Sequence, residues 1–399
     1  MNNQFGLFIH WGPYSLYEEH EQILAKRDIP FEEYEERAMG FNPTEYNPEE
    51  WVLAAKKAGM KYICFTAKHH DGFCLWDTKY TDYNIMNTPY GKDVLKMLAE
   101  ACEKHGMLLS IYYSNPDWHH PNAYNPRSTH QWKAKYPEQA NDEVYLEFKK
   151  NQIRELLTNY GKIYTLFWDI PPMYEDKTLN ELVRQLQPGI LINDRGHDTG
   201  DFSTPERELP EGGRFLRMTE ACQSVGEHSW AYRADEDYYS LRYLTSSIDS
   251  IMARGGSYLL NVGPMANGKL PQKSLDILAK VGDWYNRMEG ALEGHEREPR
   301  PLVTSASECI LTNKNGKTYL HLWQGLHSSA LHIYEGLKEE EMPKRARLLN
   351  DGRTLRIRKG KLPYRTNKLG VCVEDYLSIC DIPCDEFLTE PLVIELIIR

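Results

Sequence analysis

Histidine, aromatic, aspartate and arginine side chains recur at five points where an apolar run of the chain gives way to polar residues. These points are Ile9-His10-Trp11-Gly12, Lys68-His69-His70-Asp71-Gly72-Phe73, Tyr112-Tyr113-Ser114, Phe167-Trp168-Asp169-Ile170 and Asn193-Asp194-Arg195. An aromatic ring stacks on the apolar face of a pyranose, and imidazole, guanidinium and carboxylate groups supply donors and acceptors for its hydroxyls. Two carboxyl groups in such a pocket suffice for nucleophilic and general acid/base catalysis. The pattern therefore indicates chemistry on a sugar.

Each of these motifs also has a second interpretation. The adjacent His69 and His70 are residue types that bind metals, but neighbours on a strand point to opposite faces, which favours hydrogen bonds to a polar ligand over chelation. His10 also fits a buried structural histidine. Asp169 also fits a helix cap or an ion pair with Arg195. The residue types alone leave these alternatives open.

Composition removes several classes of protein. The 399 residues include 47 Lys plus Arg and 58 Asp plus Glu, for a formal net charge of −11. Because basic runs are absent, this charge would repel the phosphate backbone, and we expect no nucleic-acid partner. The sequence also lacks a P-loop, a dinucleotide glycine motif, HExxH and GxSxG, which removes the common nucleotide-binding, zinc-protease and serine-hydrolase classes.

Signals for membranes and export are weak. The longest apolar stretches, Tyr258–Val262 and Leu392–Ile398, are far shorter than the roughly 20 residues of a membrane-spanning helix. The first residues show no basic segment followed by an apolar stretch and a cleavage site. Eight cysteines are too sparse for a disulfide framework and are interpreted as reduced thiols. We expect no membrane partner and a cytoplasmic protein, or one whose leader has been removed.

Apolar runs and amphipathic stretches alternate up to about residue 295. The predicted strands are Phe5–His10, Lys61–Ala67, Met107–Ser114, Ile163–Ile170, Ile190–Asn193 and Tyr258–Val262, and the predicted helices are Glu49–Gly59, Lys92–His105, Glu143–Tyr160, Leu179–Gln187, Tyr239–Arg254 and Gln272–Met288. Such alternation predicts an α/β fold with βα units around a parallel sheet. In a barrel of this kind the strand ends open onto one face, which would bring the five polar motifs together.

The pattern changes after about residue 296. A charged segment with two prolines is followed by short alternating strands, predicted at Cys309–Thr312, Thr318–Trp323, Ala330–Tyr334 and Leu392–Ile398. Turn residues such as Asn315-Gly316 and Asp351-Gly352 lie between them, as is typical of hairpins. We therefore predict a barrel domain over residues 1–295 and a smaller antiparallel β domain over residues 296–399.

Three long motifs resemble the α-L-fucosidases of glycoside hydrolase family 29. They run from Phe5 to Ser15, from Thr66 to Phe73, and from Leu259 to Pro264 with Asn267-Gly268 following. Their order is collinear with the family over at least residues 5–290. The resemblance implies a (β/α)8-like barrel of the TIM type, somewhat irregular, followed by a C-terminal β-sandwich. It also implies no cofactor and retaining hydrolysis of terminal α-L-fucosides, with a fucosylated glycan as substrate.

The resemblance assigns the two catalytic carboxyl groups. The family's nucleophile is an Asp at the end of strand four in a Trp-x-Asp context, which Asp169 matches with Phe167 in place of the Trp and Ile170 in place of the commoner Gly. The family does not supply the acid/base from one motif. Glu206 is the first choice, Glu220 the second and Glu227 the third.

The resemblance also implies how the sugar is bound. The implied substrate-binding residues are His10, Glu21, His69, His70, Tyr113, Trp168, Arg195 and Trp230. Gln22 stands where the family has a Trp after the Glu, and Thr219 stands where it has a Trp before Glu220. These departures leave open a fucose-binding protein on a decayed glycosidase scaffold, or a hydrolase of a related sugar such as α-L-galactose. The oligomeric state is also open, a homo-oligomer included.

Overall fold

Seven parallel strands form the first sheet of the computed structural model, which describes residues 4–174, 176–208, 213–288, 290–324, 326–367 and 370–398. The strands are β1 (Phe5–Ile9), β2 (Tyr62–Lys68), β3 (Leu108–Ser114), β4 (Ile163–Asp169), β5 (Leu191–Ile192), β6 (Glu220–Ser224) and β7 (Ser257–Val262). Their order in the sheet is β5-β4-β3-β2-β1-β7-β6. β1 thus lies between β2 and β7 and is paired along both of its edges.

An irregular segment spans the gap between the two edge strands, β5 and β6. Within residues 202–206, isolated parallel bridges join Asn193 to Phe202, Ser203 to Thr219, and Glu206 to Cys222. The segment therefore occupies the eighth position of the ring without forming a regular strand. This confirms the predicted α/β fold with an irregular (β/α)8-like barrel.

Eight α-helices are present in the described part of the chain. They are α1 (Ile23–Lys26), α2 (Phe31–Met39), α3 (Pro48–Lys57), α4 (Val94–His105), α5 (Asp142–Asn159), α6 (Thr178–Leu186), α7 (Leu241–Ala253) and α8 (Gln272–Arg287). Side chains of Asn47, Asp93, Asn141 and Ser240 accept hydrogen bonds from the first free N–H groups of α3, α4, α5 and α7, which fixes where these helices begin. None of the helices among the described residues combines the length and the apolar character needed to cross a bilayer.

A second sheet of nine antiparallel strands follows the barrel. It contains β8 (Arg300–Pro301), β9 (Val303–Thr304), β10 (Ile310–Lys314), β11 (Lys317–Leu322), β12 (Ala330–Glu335), β13 (Arg345–Leu348), β14 (Thr354–Asn367), β15 (Gly370–Cys380) and β16 (Leu392–Ile397). The strand order β8-β10-β11-β16-β13-β14-β15-β12-β9 places β8 and β9, which are neighbours in the chain, at opposite edges. The sheet is therefore nearly closed around its own apolar core, as the predicted β-sandwich requires. Because α8 ends at Arg287 and β8 begins at Arg300, we keep residue 296 as the proposed domain boundary.

Buried polar contacts join the β domain to helix α7 of the barrel. Nδ1 of His321 on β11 lies 2.7 Å from Oδ1 of Asp249 on α7, and both side chains are inaccessible to solvent. Nε2 of the same imidazole lies 2.9 Å from Oγ1 of Thr312 on β10. Close by, the Arg254 guanidinium lies 4.5 Å from the centre of the Trp323 ring. The β domain is thus fixed against α7, the helix that precedes β7.

Candidate active site

A cavity of about 200 Å³ opens at the carboxyl ends of the parallel strands. This volume is below the roughly 300–1,000 Å³ of pockets for drug-sized ligands, so the cavity suits a ligand the size of one sugar ring. Its walls are formed by Phe8, His10, Glu21, Gln22, His69, His70, Tyr112, His130, Phe167, Asp169, Ile170, Arg195, Glu206, Cys222 and Trp230. The structure therefore brings together most of the polar residues that the sequence places at strand ends.

Asp169 is the last residue of β4 and lies in the cavity wall. Tyr112 Oη donates to its Oδ2 at 2.6 Å, and Arg195 Nη1 donates to its Oδ1 at 3.1 Å. Burial alone would raise the pKa of Asp169, but the Arg195 charge and the Tyr112 hydrogen bond outweigh burial and hold the pKa below its usual value. Asp169 is therefore an ionised carboxylate with one oxygen fixed by each partner, the state that a nucleophile needs.

Arg195 joins this carboxylate to a second one. Its Nη1, which contacts Asp169, also donates to Oε2 of Glu206 at 2.9 Å. Its Nε and Nη2 donate to Oγ1 and the main-chain oxygen of Thr204 at 2.9 and 2.7 Å. Since one nitrogen contacts both carboxylates, their nearest oxygens are no more than about 6 Å apart, close to the separation of about 5–5.5 Å found in retaining glycosidases.

Two of the cavity histidines have their tautomer fixed from behind. Ser114 Oγ donates its only proton to the Pro116 carbonyl. His70 Nδ1 lies 2.6 Å from Ser114 Oγ and must therefore donate to it. His10 Nδ1 lies 2.7 Å from Asn261 Oδ1, whose amide nitrogen donates to Ser224 and Trp230 instead. Because an amide oxygen can only accept, His10 Nδ1 is the donor. In both rings Nε2 is left as the acceptor. Burial lowers the pKa of His10 and lowers that of His70 to about 4, so both rings are neutral at neutral pH.

His69 also lines the cavity, beside His70. The expectation that adjacent histidines point to opposite faces does not apply, because β2 ends at Lys68 and the two residues lie in the turn that follows. The His69 ring stacks on Tyr112 with the ring centres 5.6 Å apart and an interplanar angle of 5°. Nδ1 of His69 is buried and makes no hydrogen bond to the described residues. The ring as a whole still forms part of the cavity wall.

Glu21 closes one side of the cavity. Its Oε2 accepts hydrogen bonds from Ser229 Oγ and from the main-chain N–H groups of Trp230 and Ala231 at 3.0, 3.0 and 3.3 Å. The contact joins the segment before α1 to the loop between β6 and α7, and it places the Trp230 ring 5.3 Å from His10. Both Glu21 and Trp230 therefore lie where the sequence predicts them, at the cavity.

Tyr113 and Trp168 lie elsewhere, and their preceding neighbours take the expected places. Tyr112 and Phe167 line the cavity, whereas Tyr113 Oη donates to Gln152 on α5 and Trp168 Nε1 donates to Asn180 on α6. Successive side chains of a strand alternate between the barrel interior and the helices outside. Because Asp169 faces the interior, Phe167 two residues earlier shares its face, and Trp168 cannot.

Glu220, the second choice for the acid/base, also lies away from the cavity. It begins β6, at the end of the barrel opposite the cavity, and is fully buried. Tyr62 Oη, from the first residue of β2, donates to its Oε2 at 2.5 Å. Burial raises the pKa of Glu220 to about 7. This carboxyl group packs in the barrel interior and does not line the cavity that contains Asp169.

Several cavity residues escape the sequence analysis. Phe8, Tyr112 and Phe167 face the interior by strand alternation, which identifies them only once the phase of each strand is known. His130 comes from the long loop after β3, where no periodic pattern exists. Its ring lies 5.4 Å from that of His70, and only the folded loop brings it there.

Comparisons with known proteins agree on one family. The family model described as Alpha-L-fucosidase matches residues 1–289. A putative alpha-L-fucosidase of Caenorhabditis elegans is 26% identical over 83% of this chain and 74% of its own length. The human plasma alpha-L-fucosidase is 26% identical over 70% of this chain. The match covers 66% of that human protein, so the chain spans about two thirds of its length.

Solved structures give the same result over the whole chain. Alpha-L-fucosidase isoenzyme 1 from Paenibacillus thiaminolyticus superposes with a TM-score of 0.82 and 34% identity, covering 100% of this chain and 97% of that one. A family 29 alpha-L-fucosidase from Bacteroides thetaiotaomicron, trapped as a covalent intermediate in a Glu-to-Gln mutant, has a TM-score of 0.78 and 26% identity. It covers 100% of this chain and 94% of its own.

Proposed function

The chain belongs to the α-L-fucosidase family, and we propose that it is a retaining exo-glycosidase that hydrolyses terminal α-L-fucosyl residues of glycans by double displacement. The observation that carries the proposal is the Arg195 nitrogen shared by Asp169 and Glu206. It holds two carboxyl groups within a distance compatible with the spacing of a retaining mechanism, in a cavity the size of one sugar. The covalent intermediate trapped in the Bacteroides relative by a Glu-to-Gln change supports the same chemistry.

In the first step, Asp169 acts as the nucleophile. Its carboxylate oxygen forms a bond to the anomeric carbon while the bond from that carbon to the leaving oxygen breaks. Glu206 gives its proton to the leaving oxygen, so the glycan departs as a neutral alcohol. Tyr112 and Arg195, which contact the Asp169 carboxylate, hold it in the orientation needed for attack.

In the second step, Glu206 acts as the base. It takes a proton from water, whose oxygen bonds to the anomeric carbon while the ester bond to Asp169 breaks. Two inversions at one carbon return fucose in its original configuration. Glu206 is more exposed than Asp169, with 39% of its side chain accessible against 12%, so it faces the side from which the leaving group and water come and go.

The remaining cavity walls offer contacts that suit a neutral deoxy sugar. The Nε2 atoms of His10 and His70, the His69 ring and the Glu21 carboxylate line the cavity and offer hydrogen-bonding groups to its hydroxyls. The aromatic rings of Phe8, Phe167 and Trp230 form an apolar wall suited to the methyl group that distinguishes fucose from galactose. A single methyl group against an apolar wall is worth about 1–3 kcal/mol of discrimination.

The two carboxyl roles are tested by chemical rescue. Asp169→Gly should lose nearly all turnover of an aryl α-L-fucoside, and added azide should give the β-fucosyl azide, because azide then attacks directly. Glu206→Ala should give the α-fucosyl azide, since Asp169 still forms the ester. Glu220→Gln is the control and should keep wild-type turnover. Rescue of an Ala variant at Glu220, with none at Glu206→Ala, would reverse the assignment.

The alternatives from the sequence have different readouts. A binding protein on a decayed scaffold would show fucose binding in a calorimetric titration and would release no product from the aryl fucoside. A hydrolase of α-L-galactose would cleave the aryl α-L-galactoside faster than the fucoside, and the apolar wall leads us to expect the reverse. The cytoplasmic location inferred from the sequence stays a prediction, as does the oligomeric state.

A further inference from the structure

An exposed tryptophan stands beside the sugar cavity. Trp132 is 56% accessible to solvent, and its ring packs against His130 with the ring centres 4.6 Å apart. His130 is itself part of the cavity wall, 5.4 Å from the His70 ring. Nε2 of His70 in turn lies 3.7 Å from Asp169 Oδ2. Trp132 is therefore separated from the reacting carboxylate by only two imidazole rings.

The loop that carries Trp132 is anchored to the catalytic face of the barrel. Trp118 is fully buried, and its main-chain N–H donates to the His70 carbonyl at 2.8 Å. Its indole N–H donates to the His130 carbonyl at 2.8 Å, and its own carbonyl accepts from Lys135 N at 2.9 Å. These contacts fix the backbone on both sides of Trp132 relative to the cavity histidines.

Ion pairs hold the same loop from the other direction. Lys133 Nζ lies 2.5 Å from Asp28 Oδ1, and Lys135 Nζ lies 2.6 Å from Glu35 Oε2. Lys135 and Glu35 are each less than one fifth exposed, so this pair is shielded from solvent more than a surface pair. The indole of Trp132 is thus presented to solvent by a segment that is pinned before and after it.

We propose that Trp132 and His130 form the binding site for the sugar that bears the fucose, that is, for the leaving group. This inference rests on the proposed function and adds a substrate class to it: fucosides whose leaving group is a pyranose. A fucosyl unit bound at Asp169 places its leaving oxygen at the cavity mouth, on the side of Glu206. An exposed indole that packs on His130, itself part of the cavity wall, offers the flat apolar face on which a second pyranose stacks. The occupant is one ring in size, as one indole requires.

The site is tested by comparing two substrates that differ only in the leaving group. The leaving group of α-L-fucosyl fluoride is a fluoride ion, which is too small to reach Trp132. A fucosylated lactose trisaccharide places a pyranose there, and the linkage isomer used is the one that the wild type cleaves fastest. For Trp132→Ala, the loss of kcat/KM on the trisaccharide should exceed the loss on the fluoride by about tenfold, the size of one lost aromatic contact. Trp132→Phe keeps a ring and should recover most of this difference.

Tyr80→Ala is the matched control. Tyr80 is an exposed aromatic residue, 46% accessible, next to Lys79, whose main chain is bonded to Glu155 near the end of α5. The Tyr80→Ala variant should leave kcat/KM unchanged on both substrates. Equal losses on both substrates in Trp132→Ala and Trp132→Phe, or no loss in either, would overturn the inference while leaving the fucosidase activity in place. A wild-type protein that releases fucose from neither substrate would overturn the proposed function, and the inference with it.

Discussion

Two buried carboxyl groups inside the barrel, at the residue scale, have their pKa values shifted in opposite directions. Asp169 is ionised because Arg195 and Tyr112 contact it, while Glu220 has only the Tyr62 hydroxyl among the described residues, and burial raises its pKa to about 7. Charge and hydrogen bonds at one end of the barrel thus overcome the same desolvation that prevails at the other. The contrast separates the proposed nucleophile from a carboxyl group that only packs.

Glu220 therefore has a cost for stability that depends on pH. Its pKa is raised above the unfolded value of 4.5, so between about pH 4.5 and pH 7 the native state holds a proton that the unfolded state has lost. The free energy of unfolding must fall as pH rises through this window, by about 3 kcal/mol for a shift of this size. Glu220→Gln cannot ionise and should match the wild type near pH 4.5 and exceed its stability by about 3 kcal/mol at pH 8.

Urea unfolding of both proteins at the two pH values measures this difference. The Gln side chain still accepts the hydrogen bond from Tyr62, so packing is retained. A difference between variant and wild type that is the same at pH 4.5 and pH 8 would contradict the raised pKa.

The irregular eighth position of the barrel matters at the scale of elements because Arg195 precedes this segment and Glu206 is its last residue. The turn into this segment passes through Gly200, which has a φ of +56°, and a Cβ there would lie 2.3 Å from the Asn193 carbonyl oxygen. A side chain at this point must push the segment away from β5. The shared contact of Arg195 with the two carboxylates depends on that turn.

Gly200→Ala should accordingly lower both stability and activity. Gly106→Ala is the control, because Gly106 has a similar φ of +64° with no atom within 4 Å of its Cβ position, so it carries only the left-handed strain of about 1–2 kcal/mol. We expect Gly200→Ala to cost at least about 2 kcal/mol more than the control and to reduce kcat/KM, which the control leaves unchanged. Equal costs by urea unfolding would show that the segment yields without strain.

The same elements show what the sequence can predict. Strands β1 to β4 and β7 are apolar runs, and the predicted bounds differ from the observed ones by one or two residues. β6 was missed because Glu220–Ser224 is small and polar, although the barrel buries it completely. β14 and β15 were missed because Thr354–Asn367 carries frequent Lys and Arg and lacks an apolar alternation.

The candidate site was predictable where chemistry sits at a strand end, and less so elsewhere. His10, Asp169 and Arg195 follow from the ends of apolar runs. The choices between Tyr112 and Tyr113, and between Phe167 and Trp168, required the phase of each strand, which two adjacent aromatic residues do not reveal. His130 reaches the cavity through a loop whose path depends on tertiary contacts.

Barrel and β domain are joined, at the scale of the whole molecule, by a polar contact with no access to water. The Asp249 and His321 side chains are both 0% exposed, and Thr312 contacts the far side of the imidazole. A charge in such a place is tolerated only while its partner is present. The contact therefore couples the stability of α7, which precedes β7, to that of the β domain.

His321→Ala should thus destabilise the whole protein. Leaving the Asp249 carboxylate buried without its partner costs about 3–5 kcal/mol, so thermal unfolding followed by circular dichroism should occur at a clearly lower temperature, with residual fucosidase activity lost in the same transition. His332→Ala is the control, since His332 on β12 is only partly buried and contacts Ser378 within the same sheet. Activity that survives the unfolding of the β domain in His321→Ala would contradict the coupling.

The position of β1 between β2 and β7 sets an order in time for synthesis of the protein. Phe5 pairs with Tyr258 on one side, and Gly6 pairs with Tyr62 on the other, so β1 cannot complete its pairing until β7, the last strand of this sheet in chain order, has been made. Until Ser257–Val262 has emerged, one edge of β1 is unpaired. The His10 imidazole also lacks Asn261, which fixes its tautomer. A nascent chain of this protein therefore carries an open sheet until β7 has been made, and it acquires a sugar pocket only then.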